Sequence, residues 1–277
     1  MTEKLQSYEP ATGALLWEGL PGDVDAEVER AASAWPLWAA QPVTNRMETL
    51  RRFANAVRAK EEALSDLIAR ETGKPLWEAR MEVSSVIGRV DMHISTYSER
   101  TGQKRMDGAM NSRQSVRHKP HGVIAVIGPY NFPADVPAGQ IIPALIAGNS
   151  VVFKPSEKTP ATGALLMALF QDAGVPRDVI RFLPGGPETG KQLVKHEGIN
   201  GVLFTGSART GITINRMLGA YPEKIVALEM GGNNPLVVWD TPDLATAAFI
   251  IVQSAYGTSG QRCTAARRLI VKDSLAN

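Results

Sequence analysis

From Val123 onward, short apolar runs alternate with helical stretches, and this alternation constrains the fold more than any other feature of the chain. Residues 123–127, 150–154, 179–183, 201–205, 224–228 and 236–239 read as strands. Helical patterns occupy 136–147, 159–173, 187–196, 208–219 and 243–257. Short apolar strands joined by helices predict a parallel sheet buried on both faces. Upstream the character differs. Residues 1–22 are rich in Pro and Gly and read as extended or turn segments. Asp23 can cap a helix through Val24, Ala31 and Ala34 that Pro36 disturbs. Met47, Leu50, Phe53, Ala54, Val57, Leu64, Leu67 and Ile68 recur at three- and four-residue spacings, predicting one helix over 44–72. Gly73-Lys74-Pro75 is a stop followed by a proline start. A second long helix follows over 76–99, with Val83, Val86, Ile87, Val90 and Ile94 on one stripe, and 114–118 reads as a strand.

Ligands of open parallel sheets bind beyond the carboxyl ends of the strands, so polar residues there are the first candidates for function. Lys154 ends a buried strand, although a lone lysine at such a place is more commonly solvated. Phe204-Thr205-Gly206-Ser207-Ala208-Arg209-Thr210-Gly211 follows a strand and opens a helix, which offers N–H groups and a positive dipole end to a phosphate. Ser207 can cap that helix and Gly206 permits close approach. The spacing G-x-x-x-x-G is neither the dinucleotide fingerprint nor a P-loop, so an ordinary capped helix remains open. Glu229 falls at the end of a further strand predicted to be buried, before Gly231-Gly232. Desolvation there would make it a general base; otherwise it accepts turn N–H groups. Asn131, in Gly128-Pro129-Tyr130-Asn131-Phe132-Pro133, can donate to an oxyanion or simply build a turn. Cys263 is the only cysteine, set between a Gly-rich turn and Leu269-Ile270-Val271. It has no disulfide partner in the chain. Taken alone it reads more readily as a buried bystander than as a nucleophile.

Composition narrows the function classes. Thirty Lys and Arg against 28 Asp and Glu leave a net charge of +2, which makes no electrostatic case for nucleic acid. No run reaches the roughly 18 apolar residues of a membrane span, and Met1-Thr2-Glu3-Lys4 starts no signal peptide, so a cytoplasmic protein is expected. His93, His118, His121 and His196 show no metal-ligand spacing, and no metal is expected.

Singly these signals are weak, but their order is specific. Gly-Pro-Tyr-Asn-Phe-Pro, Lys-Pro-Ser-Glu, Phe-Thr-Gly-Ser-x-x-x-Gly, Leu-Glu-Met-Gly-Gly-Asn-Asn-Pro and Gly-Gln-Arg-Cys-Thr follow one another as in the NAD(P)-dependent aldehyde dehydrogenase superfamily, which the chain resembles from about residue 8 to its end. The resemblance implies an α/β fold: a parallel Rossmann-type cofactor domain with N-terminal long helices over 1–230, and the beginning of a second, catalytic α/β domain over 231–277. It implies that Cys263 is the nucleophile, that Asn131 and the Cys263 N–H hold the oxyanion, and that Glu229 activates water. Lys154 and Glu157 match residues that hold the adenosine ribose, and Gly206, Ser207, Ala208, Arg209, Thr210 and Gly211 the segment that receives the pyrophosphate. NAD is expected over NADP, because Glu157 would repel a 2′-phosphate.

The segments 71–79, 128–133, 228–236 and 262–269 look most like members that oxidise N-succinylglutamate 5-semialdehyde in bacterial arginine breakdown. That substrate carries two carboxylates, for which Arg89 and Arg100 are candidate partners. A homo-oligomer is expected of the full-length form, with an early extended segment taking part. Family members continue well past the nucleophile, so the chain reads as the N-terminal part of such an enzyme. Two alternatives stand beside hydrolytic oxidation: a CoA-acylating or acyl-phosphate-reducing relative, against which Glu229 argues, and an inactive fragment that binds NAD or nothing.

Overall fold

The computed structural model describes residues 4–102 and 104–275. Strands β1 (Leu5–Tyr8) and β2 (Leu15–Gly19) form an antiparallel hairpin. Four helices follow: α1 (Val24–Ala40), α2 (Val43–Ala59), α3 (Glu61–Thr72) and α4 (Leu76–Arg100). Asp23 caps α1 by accepting the Ala26 N–H at 3.2 Å. The helix does not end at Pro36, as expected from the sequence, but runs on to Ala40. A proline inside a helix removes one backbone bond. Here the buried Trp38, whose indole N–H donates to the Leu145 carbonyl at 3.0 Å, anchors the last turn and offsets that loss. The single helix expected over 44–72 is two, broken at Lys60 (φ −118°, ψ 19°). The break lets α2 and α3 each lay its apolar face on α4.

An exposed antiparallel pair, β3 (Lys104–Asp107) with β4 (Arg113–Val116), leads into the alternating region. Its elements are β5 (Val123–Ile127), α5 (Asp135–Ala147), β6 (Ser150–Lys154), α6 (Pro160–Asp172), β7 (Ile180–Phe182), α7 (Pro187–Lys195), β8 (Gly201–Gly206), α8 (Ala208–Leu218) and β9 (Ile225–Met230). The five strands form one parallel sheet in the order β7-β6-β5-β8-β9. The chain begins in the middle, winds outward to β7, then returns to β8. The switch point therefore lies between β5 and β8, where a doubly wound sheet opens its ligand crevice.

Both faces of the inner strands are covered. Ile124, Val126, Val151 and Phe153 face one layer, built from α2 to α6, where Phe53 and Phe170 stack with centroids 3.7 Å apart. Val123, Ala125, Ile127, Val152 and Val202 face the other, with Val28 of α1, Leu193 of α7 and Ile214 of α8. The period-two alternation thus serves two cores rather than a core and solvent.

The expectation of a buried strand at 224–228 is overturned. β9 is an edge strand whose residues are exposed apart from the half-buried Leu228. The reason is topological: among the described residues β9 has a strand partner, β8, on one side only. β10 (Asn234–Val238) and β11 (Ala266–Val271) form a separate parallel pair, and α9 (Leu244–Tyr256) between them buries no side chain. No helix among the described residues is long and apolar enough to cross a membrane.

Candidate active site

A cleft of about 970 Å³ opens beyond the carboxyl ends of β5, β6, β8 and β9. Asn131 reaches it from the turn after β5, Lys154 and Glu157 from the end of β6, Gly206, Ser207, Arg209 and Thr210 from the start of α8, Glu229 from β9 and Cys263 from the loop before β11. One space therefore collects these candidate residues, of which Asn131 and Cys263 are 132 residues apart in sequence. Ala208 and Gly211 do not line it. They belong to the first turn of α8, where a Cβ on Gly211 would come within 2.4 Å of the Met230 sulfur.

At one end of the cleft the residues fit a dinucleotide. Ser207 is the N-cap of α8: its hydroxyl accepts the Thr210 N–H at 3.2 Å, leaving the dipole end of the helix facing the cleft. Lys154 is not the solvated lysine that a strand end usually carries. It is buried, donates to the Pro155 carbonyl at 2.9 Å and lies 3.8 Å from the half-exposed Glu157 carboxylate. Burial lowers its pKa, against a smaller upward pull from Glu157. A Cβ on Gly206 would lie 2.6 Å from the Phe204 ring, so the strand-to-helix turn is closed to larger residues.

At the other end sits the thiol. Cys263 is exposed, which excludes the buried bystander. Its carbonyl accepts from Asn234 Nδ2 at 2.6 Å, and the same amide lies 3.2 Å from the Ala265 carbonyl. Asn131 Nδ2 donates to the Gln261 carbonyl at 2.7 Å, which ties the β5 turn to the nucleophile loop. The amide keeps a second N–H. Glu229 stands level with Thr205 on the exposed β9, so of the two alternatives left open by the sequence the desolvated carboxylate is not the one seen.

Arg89 and Arg100 are not brought to the cleft. Both arms of the Arg89 fork are taken by Asp135, at 2.5 and 2.6 Å, and Arg100 ends α4 in an exposed position. Sequence reasoning missed the supports of the Asn131 turn. Lys74 and Glu82, both fully buried, pair at 2.6 Å. Lys74 Nζ also donates to the Asn131 carbonyl at 2.7 Å and sits 4.2 Å above the Phe132 ring. Glu82 accepts the Ala134 and Asp135 N–H groups at 2.9 and 3.1 Å. Burial raises the Glu82 carboxyl pKa, and Lys74 and the two N–H groups oppose it. A signal was available: Glu78 and Glu82 interrupt the apolar stripe that continues through Val86 and Val90, and a charge on a buried helix face must have a partner.

The model of the aldehyde dehydrogenase family matches residues 1–277. The chain is 65% identical over 277 residues to the N-succinylglutamate 5-semialdehyde dehydrogenase of Sphingopyxis alaskensis, covering all of this chain and 58% of that relative. It is 61% identical over 272 residues to the protein of the same name from Novosphingobium aromaticivorans, covering 98% of this chain and 58% of the relative. The chain thus spans less than two thirds of the length of these relatives. Among solved structures it is similar to an NADP-dependent glyceraldehyde-3-phosphate dehydrogenase of Bacillus halodurans complexed with NADP (TM-score 0.92, 32% identity, 99% of this chain and 59% of that one). It is also similar to an NAD-dependent benzaldehyde dehydrogenase of Corynebacterium glutamicum (TM-score 0.90, 29% identity, 99% and 61%).

Proposed function

The chain belongs to the aldehyde dehydrogenase family, and we propose that it carries the cofactor site and the nucleophile of an NAD-dependent oxidation of N-succinylglutamate 5-semialdehyde to N-succinylglutamate, a step of arginine breakdown. The observation that carries this reading is the single cleft that holds Cys263, Glu229, Asn131, Lys154 and the start of α8 together. The two curated relatives above bear the name of that activity.

In this reading the Cys263 thiolate attacks the aldehyde carbon and forms a thiohemiacetal. The second N–H of Asn131 and the backbone N–H of Cys263 hold the oxyanion, while Gln261 keeps the Asn131 amide turned toward the loop. Asn234 holds the Cys263 carbonyl and so steadies the loop that carries the thiol. A bound nicotinamide would supply the acceptor for the hydride that leaves the carbon. Glu229 then takes a proton from the water that hydrolyses the resulting thioester, releasing the acid and the free thiol. Lys154 and Glu157 hold the adenosine ribose, and the α8 terminus takes the pyrophosphate. NAD is preferred to NADP because the Glu157 carboxylate repels a 2′-phosphate. The cofactor part ends near Met230, the catalytic part begins at Gly231, and the full-length protein acts as a homo-oligomer.

NADH formation with N-succinylglutamate 5-semialdehyde, in the full-length protein and without CoA, tests the reading. Cys263→Ala should abolish it, a loss of at least about 10³-fold. Turnover retained by that variant, or turnover that needs CoA, would overturn it.

A further inference from the structure

The loop that delivers Cys263 does not hold its own shape. Thr258 (φ 56°, ψ 39°) and Ser259 (φ 56°, ψ 33°) are left-handed, and Gly260 (φ 70°) continues the turn. That region disfavours any residue with a Cβ, and a β-branched residue most of all. Such a stretch persists only where its surroundings over-determine it.

The surroundings here are the turn between α3 and α4. Glu78, in the first turn of α4 and 5% exposed, takes the Thr258 N–H on both carboxylate oxygens, at 2.7 and 2.8 Å. Ser259 Oγ donates to the Gly73 carbonyl at 3.3 Å and Gln261 Nε2 to the Thr72 carbonyl at 3.2 Å. Of these contacts the one to Glu78 is charge-assisted and fully buried, and it holds the first left-handed residue.

We propose that Glu78 is a positioning residue for Cys263. By fixing the Thr258 N–H it enforces the left-handed entry into the nucleophile loop, and through that entry it sets how the thiol stands in the cleft. The proposal rests on Cys263 being the reacting thiol. The other side of the α3–α4 turn supplies a comparison. Glu71, 4% exposed, is just as buried and accepts from more donors, namely Ser7 Oγ, the Ala161 and Thr162 N–H groups and Thr162 Oγ, but the segments it holds do not carry Cys263. A role that is only structural predicts the same outcome for both residues.

The test is the rate at which iodoacetamide alkylates Cys263 over about pH 6 to 9, read by peptide mass, in native protein, Glu78→Ala, Glu78→Gln, Glu78→Asp and Glu71→Ala. Glu78→Ala should change the rate at neutral pH by about fivefold or more and alter its pH profile. Glu78→Gln should return it to within about twofold of native, since the amide oxygen still accepts the Thr258 N–H. Glu71→Ala should lower the melting temperature yet leave the rate within about twofold. A native rate in Glu78→Ala, or equal changes in Glu78→Ala and Glu71→Ala, would overturn the proposal. Should Glu78→Ala not fold, Glu78→Asp decides: its shorter stem withdraws the carboxylate, and a native rate there would also overturn it. Alkylation needs no aldehyde turnover. A native protein without dehydrogenase activity would therefore sink the proposed function and leave this readout standing.

Discussion

β5 and β9 belong to the same sheet but are different kinds of strand. Every residue of β5 is buried, and so is every residue of its neighbour β6; on β9 nearly all are exposed. The helices repeat the contrast. Phe170 on α6 is 0% exposed and stacked on Phe53, whereas Phe249 on α9 is 63% exposed although that helix is just as apolar. The difference shows that firmness and chemistry are unevenly distributed. Lys154 ends a strand clamped between two cores, and Asn131 stands in the turn that directly follows another. Glu229 and Cys263 stand on segments that borrow their position, Glu229 from its pairing with β8 and Cys263 from side chains of α4, of the turn after β5 and of β10. Sites built on packed elements are held more tightly than sites on loops.

Three measurements would break or sharpen that contrast. The largest effect is expected from core truncation: Phe170→Ala should cost about 3–5 kcal/mol in urea unfolding, while Phe249→Ala should stay within about 0.5 kcal/mol. Equal losses would mean that the two regions are not distinct. Next, Lys74→Met should cost about 3 kcal/mol, because it leaves the Glu82 charge buried without its cation. Adding Glu82→Gln should recover part of that loss, since the amide oxygen can still take the Ala134 or Asp135 N–H; a strictly additive double variant would contradict the coupling.

The smallest effect concerns Lys154. Its pKa is lowered on folding, so between the folded value and the unfolded value of about 10.4 the unfolded chain binds more protons, and stability rises with pH across that window. Below the window the buried ammonium weighs against the fold. Lys154→Met should therefore unfold at equal or higher urea than native protein at about pH 7, with the advantage shrinking toward about pH 10. A gap that widens with pH would reverse the assigned sign.

Much of the architecture was legible in the sequence. The continuous apolar runs of β5 and β6 and the helix lengths between strands required a parallel sheet, and Ser207 after Gly206 marked the start of α8. The burial of β9 was not legible. An apolar strand reads the same whether or not something covers it, and coverage is decided by neighbours rather than by the strand's own residues. The break at Lys60 was hidden for a related reason: Val57 and Leu64 keep a helical spacing across it because both sides bury against α4. The role of Glu78 could not be placed because its partner, Thr258, lies 180 residues away. What the sequence did carry was the anomaly of carboxylates within the apolar stripe of α4.

The register of the parallel strands makes the sheet a ruler. Lys154 is level with Ile127, Ile127 with Phe204, and the next residue along, Thr205, with Glu229. From the lysine at one end of the cleft to the carboxylate at the other is three strand steps, about 14 Å at the usual interstrand spacing. That interval is quantised. Loop substitutions can tilt or sharpen the groups at either end, but they cannot lengthen the distance between them, because only inserting or removing a strand would do so. Whatever lies across this edge is measured by the hydrogen-bond ladder beneath it.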